Sequence, residues 1–574
     1  MNSSLRFFFF FLLGLRLSVC LSLANNRCID SSFLYDGDNT IVISSNIDLG
    51  GKTISIPDGT VISFRGGSLN NGILSGAFSV VGLKKGSLNV KIDEKASIIN
   101  CIPIFSNSSN CNGSIISACK NGCYLVEDIR INEPITLHSD IDGNGFSITS
   151  VLPCSRVLQV IDNSRTIVIK NIQITQPYVD GEIARRHVFY ALNSSNIVFD
   201  NCVLNGRIYV VNKRQSDDDL SISKNYRFVD SVLNCDLSAC VQDWKYEQDH
   251  ITFLSIKDIS IENCRINSLG VNRVLKTSAY FEKDIFDEPI NCTDGISFRH
   301  NIITASCPCG KQLWDMFCGT VNVNIENNRF YASGFSEVFE NKSVQLKKIG
   351  DAIIYSTIRI AYNYIDSKNS CLFQFHANTM CDSFIFEENE VHIGGCNENK
   401  VSKFVRTTGS YLQSYNSCII KNNTFYWEDE AVGLMFATVN FNCKTTVISG
   451  NIMHDVYRVN FYSSGGVGVK ADSFVYTDNV KYYSRLYSSP KIEIGLQGAT
   501  IKKLIVRIPH DSNVGDDFYV SFNNSTHLDV FDFDVSNTKI NEKAFVAISD
   551  KVRIRRMKTG HKVQRINKGW YFVR

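Results

Sequence analysis

The sequence predicts an all-β chain wound as a parallel β-helix solenoid, with a small C-terminal β domain or cap. Three observations predict it. The first is a repeat of strand, Asn-containing turn and strand. It reads IVIKNIQIT (167–175), IVFDNCVLN (197–205), ISIENCRIN (259–267), ISFRHNIIT (296–304) and VNIENNRFY (323–331). It continues as IRIAYNYID (358–366), FIFEENEVH (384–392), CIIKNNTFY (418–426) and TVISGNIMH (446–454). A supersecondary unit recurring at this interval is stacked on its own copies. The second is strand chemistry: each unit alternates apolar and polar residues, with Ile, Val, Phe and Tyr dominant. The third is the scarcity of Pro, 9 in 574 residues, which suits a backbone that donates to sheet ladders almost throughout.

The spacing of the turn Asn is uneven. Asn171 to Asn201 spans 30 residues, and the steps through Asn301, Asn328, Asn363, Asn389, Asn423, Asn451 and Asn479 are 27, 35, 26, 34, 28 and 28. A uniform turn with loops of varying length elsewhere on the coil explains this. An Asn recurring in register forms a ladder of side-chain amides.

Taken in chain order, residues 1–24 read as a secretion signal. Arg6 supplies the positive start, Phe7 to Leu13 is solidly apolar, and Ser22-Leu23-Ala24 puts small residues where a signal peptidase reads. Gly14 and Arg16 interrupt the run, so no stable membrane span is expected. The mature chain is expected outside the cytoplasm, secreted or at the cell surface, starting at Asn25. The solenoid is assigned to 25–489. Gly50-Gly51 and Gly66-Gly67 mark tight turns in its opening coils, and the Ser-, Asn- and Cys-rich stretch 107–122 reads as a loop or cap excursion. From Pro490 the Asn turn disappears, and 490–574 is assigned to a C-terminal β-rich domain or cap. Its last stretch is basic, with Arg553 and Arg555 alternating with Val552 and Ile554.

A net charge of +2 excludes a whole-protein electrostatic partner such as nucleic acid. The chain has 20 Cys. Cys202 and Cys264 directly follow a turn Asn and suit a small buried apolar position. Two local clusters, Cys101, Cys111, Cys119 and Cys123, and Cys292, Cys307, Cys309 and Cys318, are the disulfide candidates of a secreted chain. Cys307-Pro308-Cys309 is too closely spaced for a zinc site.

Inserted loops carry function on a rigid solenoid. The richest are YVDGEIARRH (178–187), KRQSDDD (213–219) and DWKYEQDH (243–250). Their candidate catalytic residues are Asp180, Glu182, Arg186, His187, Asp217, Asp218, Asp243, Lys245, Asp249 and His250. Tyr178, Arg185, Lys213, Arg214, Trp244 and Tyr246 are candidates for substrate binding. Acids, bases and aromatics on consecutive coils are what a polysaccharide site needs. Aromatic faces stack on sugars, two carboxylates serve glycoside hydrolysis, and a lyase needs a cation to neutralise a uronate and a base to take its proton. The cations in these loops favour an acidic glycan. No motif fixes a cofactor. Ca²⁺ is the candidate for a lyase, although Asp140, Asp142, Asn144 and Gly145, which begin like a calcium loop, lack its closing Glu.

These coils resemble the pectate-lyase-like superfamily of right-handed parallel β-helix proteins. GGKTISIPDG (50–59) and IDGNGFSI (141–148) resemble segments that begin the helix in secreted bacterial members. The resemblance implies a right-handed parallel β-helix and a carbohydrate-related role. Its members include lyases, hydrolases and adhesins, so it does not settle activity. Asn291-Cys292-Thr293-Asp294-Gly295 is similar to the Asn-Thr-Asp-Gly of polygalacturonases, but the inserted Cys292 displaces the Asn and the remaining motifs are missing. Asp294 is therefore expected to be a turn residue. The readings that follow are a polysaccharide lyase or hydrolase, a non-catalytic glycan binder, and a structural or adhesin-like solenoid. An enzyme calls for a cleft with paired acids, a binder for an aromatic stripe, and a structural solenoid for neither.

Overall fold

In a computed structural model the chain is described over residues 34–36, 39–151, 155–177, 186–213, 223–238, 248–280, 292–316, 320–341, 356–368, 371–376, 380–394, 403–408, 413–427, 435–437, 441–454, 458–462, 470–482, 491–497, 500–507, 517–523, 527–534, 543–548, 553–559, 563–567 and 570–573. The signal segment lies outside these. Two compact units are distinguished. Unit 1 is Met1–Pro177 with Arg185–Tyr190 and Ile197–Asn205; unit 2 is Tyr178–Ala184, Ala191–Asn196 and Gly206–Arg574.

Both units are parallel β-helix. In unit 1, Thr40–Ile43, Thr60–Phe64 and Ala77–Val81 pair in parallel, as do Ile141–Asp142, Ile167–Lys170 and Ile197–Asp200. The stretch expected to be a loop is in part a helix, α1 (Ser109–Ala118), which buries Cys111, Asn112, Ile115, Ile116 and Ala118. Its Ser and Asn content hides it from a propensity reading. Packing of its apolar face overrides the weak intrinsic preference.

Unit 2 repeats three strands per coil. The first face stacks Ser223–Val229, Ile256–Glu262, Thr293–Arg299, Thr320–Glu326 and Thr357–Ala361, all parallel. The second face includes Arg265–Leu269, Tyr364–Lys368, Glu390–Ile393, Thr424–Trp427 and Ile452–His454. The third includes Asp249–Leu254 and Arg273–Ser278. Ile302–Met316 and Arg329–Asn341 each turn from the second face into the third. After residue 490 the parallel register continues, through Lys491–Gln497, Asp517–Asn523 and Lys543–Ile548 on one face and to Arg553–Thr559 on the other. The final strand, Trp570–Val573, runs antiparallel to its neighbours.

The turn resolves into two columns one residue apart. The first holds left-handed backbone: Asn171 and Asn201 in unit 1, and Asn263, His300, Asn327, Tyr362, Glu388 and Asn422 in unit 2, with φ between 52° and 58°. The second is the buried ladder of unit 2. Asn301, Asn328, Asn363, Asn389, Asn423 and Asn451 each donate Nδ2 to Oδ1 of the next Asn, ending at Asn479, over 2.8–3.0 Å. Each backbone N–H donates to that same oxygen. Asn171 and Asn201 therefore belong to the first column, and counting them with the ladder merged two positions. In the ladder position Cys202 of unit 1 and Cys264 of unit 2 are buried, each facing a backbone carbonyl of the preceding coil. Inside unit 2, Phe298, Trp314, Phe339 and Phe373 follow one another with ring centroids 5.2–6.3 Å apart.

Candidate functional site

The sequence-predicted loop residues divide. Tyr178, Asp180, Glu182, Arg185, Arg214, Asp217, Asp218, Asp243, Trp244, Lys245 and Tyr246 lie outside the described residues. Arg186 and His187 belong to unit 1 and are buried. Lys213, Asp249 and His250 belong to unit 2. Lys213 is exposed, with its ammonium 5.4 Å from the centroid of the Tyr280 ring. Asp249 and His250 open a strand in which every residue is buried.

Asp249 leads into a cluster on the third face. Its Oδ1 accepts from Arg273 NH1 at 3.1 Å, and its backbone carbonyl accepts from Arg207 Nε at 2.7 Å. Arg273 also pairs with Asp315, Nε to Oδ2 2.8 Å. Gln312 accepts from Arg273 at 3.4 Å and donates to Glu337 Oε2 at 3.4 Å. Lys276, Asp315 and Glu340 occupy successive coils at one register position, and the two carboxylates are 0% and 1% exposed. Strand alternation puts Asp315 and Glu340 on the opposite face from Trp314 and Phe339. His250 Nδ1 lies 2.7 Å from Ser268 Oγ. Burial, then the Arg207 guanidinium, push its pKa down to about 3, so the ring is neutral. Sequence reasoning missed Arg273, Lys276, Gln312, Asp315, Glu337 and Glu340. Their one signal is charge inside apolar strands, as in QLWDM (312–316) and EVFEN (337–341).

Among the described residues of unit 2, accessible aromatic chemistry is found on the second face. Tyr331, Tyr364, His392, Tyr426 and His454 form a column of rings across five successive coils. Centroid spacings are 5.7, 5.3, 4.4 and 4.4 Å, and the last two pairs stack at 13° and 5°. All five are half-buried or exposed, Tyr331 the most open at 37%. Stacking along the coil direction consumes the ring faces, so the column presents its rims: phenol oxygens and imidazole nitrogens. Arg329, exposed two residues before Tyr331, is the register partner of Tyr364, Asp366 takes the register position between Tyr331 and His392, and Arg265 is exposed on the same face two coils earlier. His392 Nε2 lies 2.9 Å from Glu390 Oε1.

Among the described residues, no group of three or more His, Cys, Asp or Glu is placed to hold a metal ion. The calcium-like loop does not fit Ca²⁺. Asp142 accepts from the Asn144 N–H and pairs with Lys170 Nζ at 3.1 Å, and Asp140 accepts from the Val168 N–H, so both carboxylates are spent within unit 1. Asp294 is the second residue of a strand rather than a turn residue, accepts from Asn322 Nδ2 at 2.8 Å, and is followed by Gly295 at φ +72°. Cys101, Cys111, Cys119, Cys123 and Cys292 are free thiols, against the disulfides expected of them. The side chain of Cys309, and all of Cys318, lie outside the described residues. Among the described residues, no helix is long and apolar enough to cross a membrane.

The fold and these surfaces define a parallel β-helix solenoid with one face of stacked rings and one buried ionic face. No family model matches the chain, and no curated protein matches it.

Proposed function

We propose that this protein is a secreted β-helix that binds an acidic polysaccharide along the second face of unit 2. One observation carries the reading: five rings follow one another on five coils, four of them (Tyr331, His392, Tyr426 and His454) at one register position and Tyr364 two residues along, in register with exposed Arg329. A periodic face suits a periodic ligand. The rims of Tyr331, Tyr426 and the two His offer hydrogen bonds to hydroxyls, and guanidinium groups match carboxylates bidentately. The resemblance to the pectate-lyase-like superfamily and the signal-like N-terminus agree with a glycan met outside the cytoplasm. The test is affinity electrophoresis of the whole chain in gels containing uronate-rich or neutral polysaccharides. Tyr331→Ala with Tyr426→Ala is expected to weaken uronate binding about tenfold, and Arg329→Gln to reduce its salt dependence. Unchanged migration of the double variant sinks the proposal.

A second reading, cleavage, is favoured by Asp315 and Glu340 lying one coil apart at one register position, a separation of about 4.8 Å along the stack. Their complete burial and the pairing of Arg273 with Asp315 weigh against it. New reducing or unsaturated ends, lost on Glu340→Gln, would move the assignment to an enzyme.

A further inference from the structure

We infer that unit 1 carries a separate binding site for an uncharged, hydroxyl-rich ligand, a neutral sugar. The site is an open cavity of about 710 Å³, within the usual range for small-molecule sites. Its residues all precede α1 or lie in its first turn.

One wall is a row of side-chain amides. Asn70 and Asn89 are register partners on adjacent strands. Asn89 Nδ2 donates to Asn70 Oδ1 at 3.3 Å, and Asn70 Nδ2 donates to Ser68 Oγ at 2.8 Å. Asn71 follows on the same strand and donates its Nδ2 to Asp48 at 3.0 Å. These bonds orient the amides by their nitrogens. They leave Asn71 Oδ1 and Asn89 Oδ1 as oriented acceptors beside the cavity. Gly51 and Gly86 carry no side chain into it, and a Cβ on either would meet open space.

The cations in the lining decide the ligand class. Lys85 Nζ is 2.7 Å from Glu127 Oε2, and Lys91 Nζ is 2.7 Å from Glu133 Oε1. Glu127 accepts the Ser106 N–H as well, at 2.7 Å, and the Lys85 hydrogen bond, then that N–H, hold its pKa below the usual carboxylate range. Each lysine is thus matched by its own carboxylate, and the cavity has little net charge to offer an anion. A phosphate or uronate site calls for uncompensated cations. The lining holds no aromatic ring, so stacking is not the mode of recognition. What remains is fixed amide acceptors, amide donors and hydroxyls, which is hydroxyl recognition. This site shares no residue with the ring column of unit 2.

The experiment titrates the full chain with neutral oligosaccharides and with an oligouronate, by calorimetry at low and high salt. Asn71→Gly, which keeps the left-handed backbone, is combined with Asn89→Ala. The expected result is a neutral sugar that binds equally at both salt concentrations and loses about tenfold in affinity in this variant. Tyr331→Ala with Tyr426→Ala should leave that binding intact, which separates failure of this site from failure of the unit 2 reading. Absence of binding across the neutral series overturns the inference. So does unchanged affinity in a variant whose melting curve is native, or a preference for the oligouronate that salt abolishes.

Discussion

Arg273 pairs with Asp315 at 2.8 Å although the strand register sets Arg273 against Gln312 and sets Lys276 against Asp315. The guanidinium leans along the strand to a carboxylate that is not its neighbour, while its NH1 reaches back to Asp249 on the preceding coil. The contact with Asp315 is an ion pair whose N–H is not aligned on the oxygen. One cation thereby ties three coils of a face that solvent does not reach. Breaking such a buried pair costs far more than its presence contributes, because the surviving charges lose their compensation.

Replacing Arg273 by Met is expected to destabilise unit 2 by roughly 3–5 kcal/mol, read as a shift in the denaturant midpoint. Adding Asp249→Asn and Asp315→Asn should recover much of the loss. If the single variant unfolds like the wild type, the cluster is not holding these coils.

His250 gives a pH dependence with a definite sign. Its folded pKa, about 3, lies below the ordinary value of 6.5. Between those values the unfolded chain binds the proton and the folded chain does not, so stability falls as pH is lowered from about 6.5 towards 3. The slope from this group approaches roughly 1.4 kcal/mol per pH unit. His250→Gln should flatten that part of the stability curve. A curve identical in the two proteins would mean that the ring takes up its proton in the folded state.

Asn389 accepts the side-chain and backbone N–H groups of Asn363, and donates to Asn423 and to the Ile360 carbonyl. Asn389→Leu leaves those donors buried without an acceptor. The expected loss is roughly 1–3 kcal/mol in an unfolding titration, and a smaller effect than that of an exposed Asn422→Ala change would contradict the ladder.

Thiol accessibility is a fourth test. Cys101 is exposed, though partial burial and then the nearby Cys123 raise its pKa. Cys264 is buried, and burial pushes it up to about 12. Native alkylation followed by peptide mapping should modify Cys101, faster as pH rises, and should leave Cys119, Cys202 and Cys264 untouched until the chain is unfolded.

The solenoid was legible because strand alternation and a turn residue repeat locally. The spacing from Asn301 to Asn479 marks the ladder itself. Upstream, Cys202 and Cys264 occupy its position, and Asn171 and Asn201 mark the left-handed residue before it. Nothing in the pattern of one coil distinguishes those two adjacent roles. The ionic face was not legible for a different reason. Asp249, Arg273 and Asp315 have no spacing motif, and they meet only through pairings 24 and 42 residues apart, whose register depends on loops of unequal length. The ring column was hidden by the same arithmetic, since Tyr426 and His454 look like ordinary outward strand residues until their coils are stacked.

The amide ladder has a direction. Every Nδ2 points towards the next Asn along the chain, so each rung has a donor side and an acceptor side. This sets a grammar for how such a chain can lengthen or shorten. Excising residues 389–422 would deliver Asn423 to Asn363 with the same polarity, and duplicating them would insert one more rung of the same sense. Removing or adding anything other than a whole coil leaves a rung without its partner. Inheritance of length in this protein is therefore expected in whole coils.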